Sequence, residues 1–172
     1  MDGAEDFEHR ISRLGCELFD GIDGISSNDD RKSWLALQRA VRDSKTQFVY
    51  LEVGSYLGGS IQQYLLDPKC SRIYSIDKRP TVTPDGKDET RSYADNSLVR
   101  TIENLRAVAP DELHKLVCFD TDARDVDPAL MRSRTIGGSL ELQHSSHEAA
   151  GRASNKYHTV SFRSANLIPL SP

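Results

Sequence analysis

The sequence predicts an α/β fold, a parallel sheet with flanking helices, entered through two leading helices. Three observations carry this. Apolar, strand-like runs occur at Phe48–Val53, at 72–76 and at 116–119; helix-period segments separate them at 61–65 and 98–105; and glycines stand where the first run ends. Strands alternating with helices imply right-handed crossovers and parallel pairing, so the second strand lies beside the first and the third beyond it.

Phe7, Ile11, Leu14 and Leu18 recur at helical spacing and give the first helix an apolar stripe. A loop over residues 21–30, with two glycines, two serines and paired aspartates, ends by capping a second helix from Arg31 to about Asp43. Its inward face is expected to be Trp34, Leu37 and Val41, with Trp34 as core. Residues 1–45 thus read as a helical cover, 46–130 as the sheet-bearing unit and 131–172 as an atypical tail.

Phe48–Val53 is rich in β-branched and aromatic residues and reads as a strand buried on both faces. Gly54 and Gly58 let the chain turn sharply and approach a ligand without a Cβ in the way, and Ser60 is placed to cap the helix that follows. That helix turns Ile61, Tyr64 and Leu65 inward, and its N-terminal N–H groups favour an anionic or polar ligand. The second strand ends at Asp77, 23 positions after Gly54. An acidic residue about 20 positions beyond a glycine turn is placed to accept hydrogen bonds from ribose hydroxyls.

After Asp77, residues 78–90 hold two prolines, a glycine and many charges, and are expected to lack regular structure. They read either as an exposed linker or as a loop over the ribose and acceptor side, with Lys78 or Arg79 meeting an anionic substrate. Asp95 or Asn96 then caps a helix carrying Leu98, Ile102 and Leu105, which stops before Pro110. Cys118 sits in the third strand as a small buried hydrophobe. Glu52, Gly54, Asp77 and Asp122 all fall at carboxyl ends of strands, where open α/β sheets bind ligands.

Glu52-x-Gly54-x-x-x-Gly58, then Asp77, then Asp122-Ala123 after the third strand, resembles class I S-adenosylmethionine-dependent methyltransferases. The wording around Gly54, Ser55, Tyr56, Gly58 and Ser60 is similar to the macrocin O-methyltransferase and cephalosporin-hydroxylase-like subgroup. The resemblance covers roughly 28–130 and implies a Rossmann-like sheet, S-adenosyl-L-methionine as cofactor and a small-molecule hydroxyl acceptor. It implies further that Glu52 and the turn hold the methionine end, that Asp77 holds the ribose, and that Asp122 with the Ala123 backbone holds the adenine edge. No catalytic base and no metal are carried over.

Beyond residue 130 the family pattern fails. Residues 131–172 are rich in serine, arginine and histidine, with no strand–helix repeat, and read as a truncated or frame-shifted continuation. The free edge of the first strand is then expected to be covered by Tyr157 to Phe162, or to mediate homo-oligomers or aggregation. His144, His147 and His158 lack supporting ligands, so no metal site is expected.

Charged residues make up 28% of 172 and the net charge is −4, which disfavours a nucleic-acid partner. Neither a membrane span nor a secretory leader is read, so the expected location is cytoplasmic. Three scattered cysteines fit no zinc or disulfide framework. Two rival readings stand beside the methyltransferase: an NAD-dependent oxidoreductase, which shares the glycine turn and acidic strand tip, and a non-catalytic cofactor-binding remnant.

Overall fold

A computed structural model of the chain describes residues 3–79, 82–85, 89–93, 95–132 and 142–144. The first helix, α1 (Gly3–Ser12), stops six residues short of Leu18 because Leu14 turns left-handed at φ 57°. The Leu14 and Gly15 N–H groups then close back on the Ile11 and Arg10 carbonyls, satisfying the helix end. A 3₁₀ turn at Cys16–Phe19 carries the apolar stripe onward, so Phe7, Ile11, Leu18 and Phe19 still meet Leu35 in one cluster, with Trp34 half-buried against it.

Helix α2 (Asn28–Ser44) starts at a capping box formed by Ser27 and Asp30. Its buried face is Leu35, Gln38 and Arg42, whereas Leu37 is 66% and Val41 41% exposed. The expected face of Trp34, Leu37 and Val41 is therefore shifted by one residue. The cause is Asp67, wholly buried beside the helix. Arg42 pairs with Asp67 and Glu8, Gln38 donates to Asp67 Oδ2 at 2.8 Å, and Lys115 Nζ donates to the Asp67 carbonyl at 3.0 Å. Rotating these polar groups outward would leave a buried carboxylate unpaired, which outweighs the area gained from two aliphatic side chains.

Strand β1 (Phe48–Val53) leads through the glycine turn to the four-residue helix α3 (Gln62–Leu65) and then β2 (Cys70–Ile76). Ile61, Tyr64 and Leu65 point inward as expected. No side chain caps α3, and a single turn has little macrodipole, so the extended helix N-terminus expected beside the ligand is not built here. Residues read as an irregular loop instead form an antiparallel hairpin, β3 (Val82–Asp85) with β4 (Glu89–Ser92). An isolated two-stranded ribbon has an open edge on both strands, which is where a proline such as Pro84 is tolerated.

Helix α4 (Leu98–Val108) is capped by Ser97 rather than Asp95 or Asn96, and it buries Leu98, Ile102 and Leu105. A 3₁₀ turn from Pro110 leads to β5 (Leu116–Asp120), followed by the short helix α5 (Pro128–Arg132) and a three-residue strand β6 (Leu142–His144). The sheet order is β1-β2-β5-β6, all parallel. The predicted sequence of first, second and third strands is thus found. The tail, expected to hold its only strand at 157–162, contributes β6 on the opposite edge from β1. Residues 145–172, including His147, His158 and the proposed cover of β1, lie outside the described residues.

One sheet face carries the main core, where Ile73, Leu116 and Cys118 meet Ile61, Leu65, Ile102 and Leu105. The other face is covered only in part: Val126, Leu130 and Met131 pack on Tyr74, Ile76, Val117 and Phe119. This cover stops short of β1. Val49, Leu51 and Val53 are 56%, 50% and 63% exposed, so β1 alternates instead of being buried on both faces. Among the described residues no helix is long and apolar enough to cross a membrane.

Candidate functional site

The chain leaves β1 through three left-handed residues, Gly54 at φ 86°, Tyr56 at 46° and Gly58 at 90°. Gly54 has open space where a Cβ would stand, so it is required by backbone conformation alone. A Cβ on Gly58 would lie 3.1 Å from Leu105, so this glycine also lets α4 pack closely on the turn. The strand tips are tied together in sequence: Gly54 N–H donates to the Ile76 carbonyl at 2.8 Å, and Asp77 N–H to that of Phe119 at 3.1 Å.

A crevice of about 350 Å³ opens over the carboxyl ends of these strands. Val53 and Ile76 form apolar walls, and the rings of Tyr56 and Tyr93 meet edge to face at 5.4 Å. Gly54, Asp77, Lys78, Asn96, Thr121, Asp122 and Ala123 complete the lining. A second, more polar cavity shares Lys78, Asn96, Thr121 and Asp122 and extends to Arg79, Asp120 and Arg124.

Of the residues singled out in the sequence, Gly54, Tyr56, Asp77, Asp122 and Ala123 come together in the crevice lining, whereas Glu52, Ser55, Gly58 and Ser60 do not. Ser55 is buried and shares a hydrogen bond with Ser75 at 2.6 Å, which fastens β1 to β2. Ser60 does not cap α3; its hydroxyl donates to Glu52. Glu52 itself stands on the helical side of the sheet, near Tyr50 and Tyr64, whose rings stack at 3.5 Å. Burial is the main cause that pushes its carboxyl up to about 7, with the nearby Asp77 charge adding to it against the Ser60 hydrogen bond.

Asp77 is 8% exposed and holds the turn from below: Oδ2 accepts from Tyr56 N–H at 2.8 Å and Oδ1 from Arg79 N–H at 2.7 Å. Asp122 is tied up differently. Its Oδ1 accepts from Arg124 N–H and Nε, both at 3.0 Å, its Oδ2 from Arg124 Nη2 at 2.8 Å, and Lys78 Nζ lies 3.5 Å away. Hydrogen bonds from Arg124 hold this carboxyl well below the usual range.

Val53, Ile76, Tyr93, Asn96 and Thr121 were not anticipated as lining. The two aliphatics read as strand interior and Asn96 as a cap. For Tyr93 the available signal was an aromatic residue between two polar segments just ahead of a helix. Compared with known proteins, the chain matches no family model, no curated protein and no solved structure.

Proposed function

We propose that this chain is the Rossmann-like, cofactor-binding part of a class I methyltransferase, using S-adenosylmethionine to methylate a hydroxyl on a small molecule. The observation that carries the reading is the convergence of Gly54, Tyr56, Asp77, Asp122 and Ala123, from three separate strand ends, on one crevice. The residues present suit a nucleoside. Val53, Ile76, Tyr56 and Tyr93 offer apolar and aromatic surface to a flat base. Asp77 accepts two N–H groups, and a carboxylate has about four acceptor positions, so two remain for ribose hydroxyls.

The amino-acid end of the ligand would rest on the backbone of the Gly54–Gly58 turn, since Glu52 is directed to the helical side. Asp122 already accepts three N–H groups from Arg124, so one acceptor position is left for an adenine amino group unless Arg124 swings off it; the Ala123 backbone needs no such movement. When bound, the cofactor supplies an electrophilic methyl group, and the chain's task is to hold it in line with the acceptor oxygen.

Calorimetry with S-adenosylhomocysteine tests this directly, with NAD as control and Val53→Arg as a blocking variant on an exposed wall position. The expected result is micromolar binding of S-adenosylhomocysteine, none of NAD, and loss in the variant. A folded sample that gives no binding heat refutes the assignment. Binding without methyl transfer to any hydroxylated acceptor would favour the cofactor-binding remnant.

A further inference from the structure

We infer that Arg79 is a positioning residue for the nucleoside crevice, closing a ring of hydrogen bonds that locks the glycine turn in its ligand-receiving shape. The inference rests on the nucleoside reading above. In the sequence Arg79 belongs to a polar loop and reads as a solvent or substrate contact. In the structure its side chain is 4% exposed and points inward.

Its Nη1 donates to the Tyr56 carbonyl at 3.1 Å and to Thr101 Oγ1 at 3.0 Å, while its backbone N–H donates to Asp77 Oδ1. Tyr56 returns its own N–H to Asp77 Oδ2. The ring therefore runs from Tyr56 to Asp77 to Arg79 and back to Tyr56. Thr101, fully buried, joins it to α4, with its hydroxyl 2.7 Å from the Tyr56 carbonyl.

Two residues in this ring occupy left-handed backbone, Tyr56 at φ 46° and Arg79 at φ 50°, which side-chain-bearing residues avoid. Such conformations persist where the surroundings over-determine them, and they gather at binding sites. The guanidinium also lies 3.5 Å from Asp120 and 3.9 Å from Asp77, so it is the counter-charge for carboxylates at two strand tips. Both donations leave from Nη1, while Nε and Nη2 are buried with no hydrogen-bond partner among the described residues, so it is this one nitrogen that joins the turn to α4. Arg79 does not line the nucleoside crevice; Tyr56 and Asp77 do, and through them it pre-organises the site.

The test compares the wild-type chain with Arg79→Ala and Thr101→Val. S-adenosylhomocysteine affinity is expected to fall about tenfold in Arg79→Ala, the factor of one lost charge-assisted hydrogen bond. Millimolar guanidinium ion is expected to recover most of it. Guanidinium ordinarily weakens a fold, so rescue separates positioning from general destabilisation. Amide exchange gives a ligand-free arm: with the Arg79 bond to the Tyr56 carbonyl lost, the turn that presents Tyr56 N–H to Asp77 opens more readily, and this N–H is to exchange about tenfold faster in the variant while sheet amides such as Ile73 stay protected. Should Arg79→Ala not fold, Thr101→Val, which puts a methyl group in place of the hydroxyl, is to accelerate Tyr56 exchange in the same direction. Unchanged Tyr56 exchange, or unchanged affinity, in a folded variant overturns the inference. If the wild-type chain binds no S-adenosylhomocysteine, the methyltransferase reading fails on its own and the exchange arm still decides the role of Arg79.

Discussion

Replacing Glu52 with Gln should stabilise the protein above neutral pH and do little in acid. The folded state keeps the Glu52 proton until about pH 7, whereas the unfolded chain releases it near the ordinary 4.5. Between these values the folded state binds more protons than the unfolded one, so stability falls as pH rises and stays lower above pH 7. The displacement from 4.5 to about 7 corresponds to about 3 kcal/mol at 1.36 kcal/mol per pH unit. That figure is an upper bound, because solvent reaching a half-buried side chain screens part of it. Gln keeps an oxygen for the Ser60 hydroxyl and removes the charge. Urea unfolding of both proteins at pH 5, 6, 7 and 8 measures the effect. The difference should be near zero at pH 5 and grow toward about 2 to 3 kcal/mol at pH 8. A gap that is constant across this range, or that shrinks as pH rises, would refute the desolvation argument.

The two turn glycines should separate in thermal melts. Gly54→Ala carries only the left-handed penalty of about 1 kcal/mol, while Gly58→Ala adds a 3.1 Å approach to Leu105 and should lower Tm further. Asp67→Ala leaves the Arg42 guanidinium buried with only Glu8 and should cost about 3 to 5 kcal/mol by urea titration; a combined Asp67→Leu, Arg42→Met protein should lose much less than the sum of its single changes. Leu51→Lys, on the open face of β1, should change stability by no more than about 0.5 kcal/mol while reducing any concentration-dependent light scattering.

What could be read in the sequence was whatever depends on a residue and its near neighbours. Leu98, Ile102 and Leu105 fall on one helical stripe whatever lies opposite, and Leu116 to Phe119 form a buried strand because nothing polar interrupts them. The rest depended on partners far along the chain. The burial of Gln38 and Arg42 follows from Asp67, 25 and more residues away, which hydrophobic periodicity cannot register. The open face of β1 reflects how far α5 reaches, not the composition of β1, and α3 starts late enough that Ile61 takes the cap position while Ser60 gives its hydroxyl to Glu52. Arg79 reads as a surface charge until the carbonyl of Tyr56 and the hydroxyl of Thr101 are placed around it.

Three carboxylates thus stand at the tips of neighbouring strands in different chemical states, and this decides which substitutions can discriminate. Glu52 faces the helices and keeps its proton toward neutrality; Asp122 faces Arg124; Asp77, in the middle, accepts from the backbone on both sides. Asp77→Ala would remove the proposed ribose acceptor and the support of two left-handed residues at once, so a loss of binding could not be assigned to either. Asp77→Asn is little better, because its amide turns a donor toward one of two N–H groups. Val53 and Tyr93 line the same crevice from its walls without taking part in that ring. Of these, Val53 reports on the ligand, since the Tyr93 ring packs edge to face on Tyr56, and Arg79→Ala reports on the geometry of the turn. Only if both weaken binding while the sheet amides stay protected do crevice and ring act as one site.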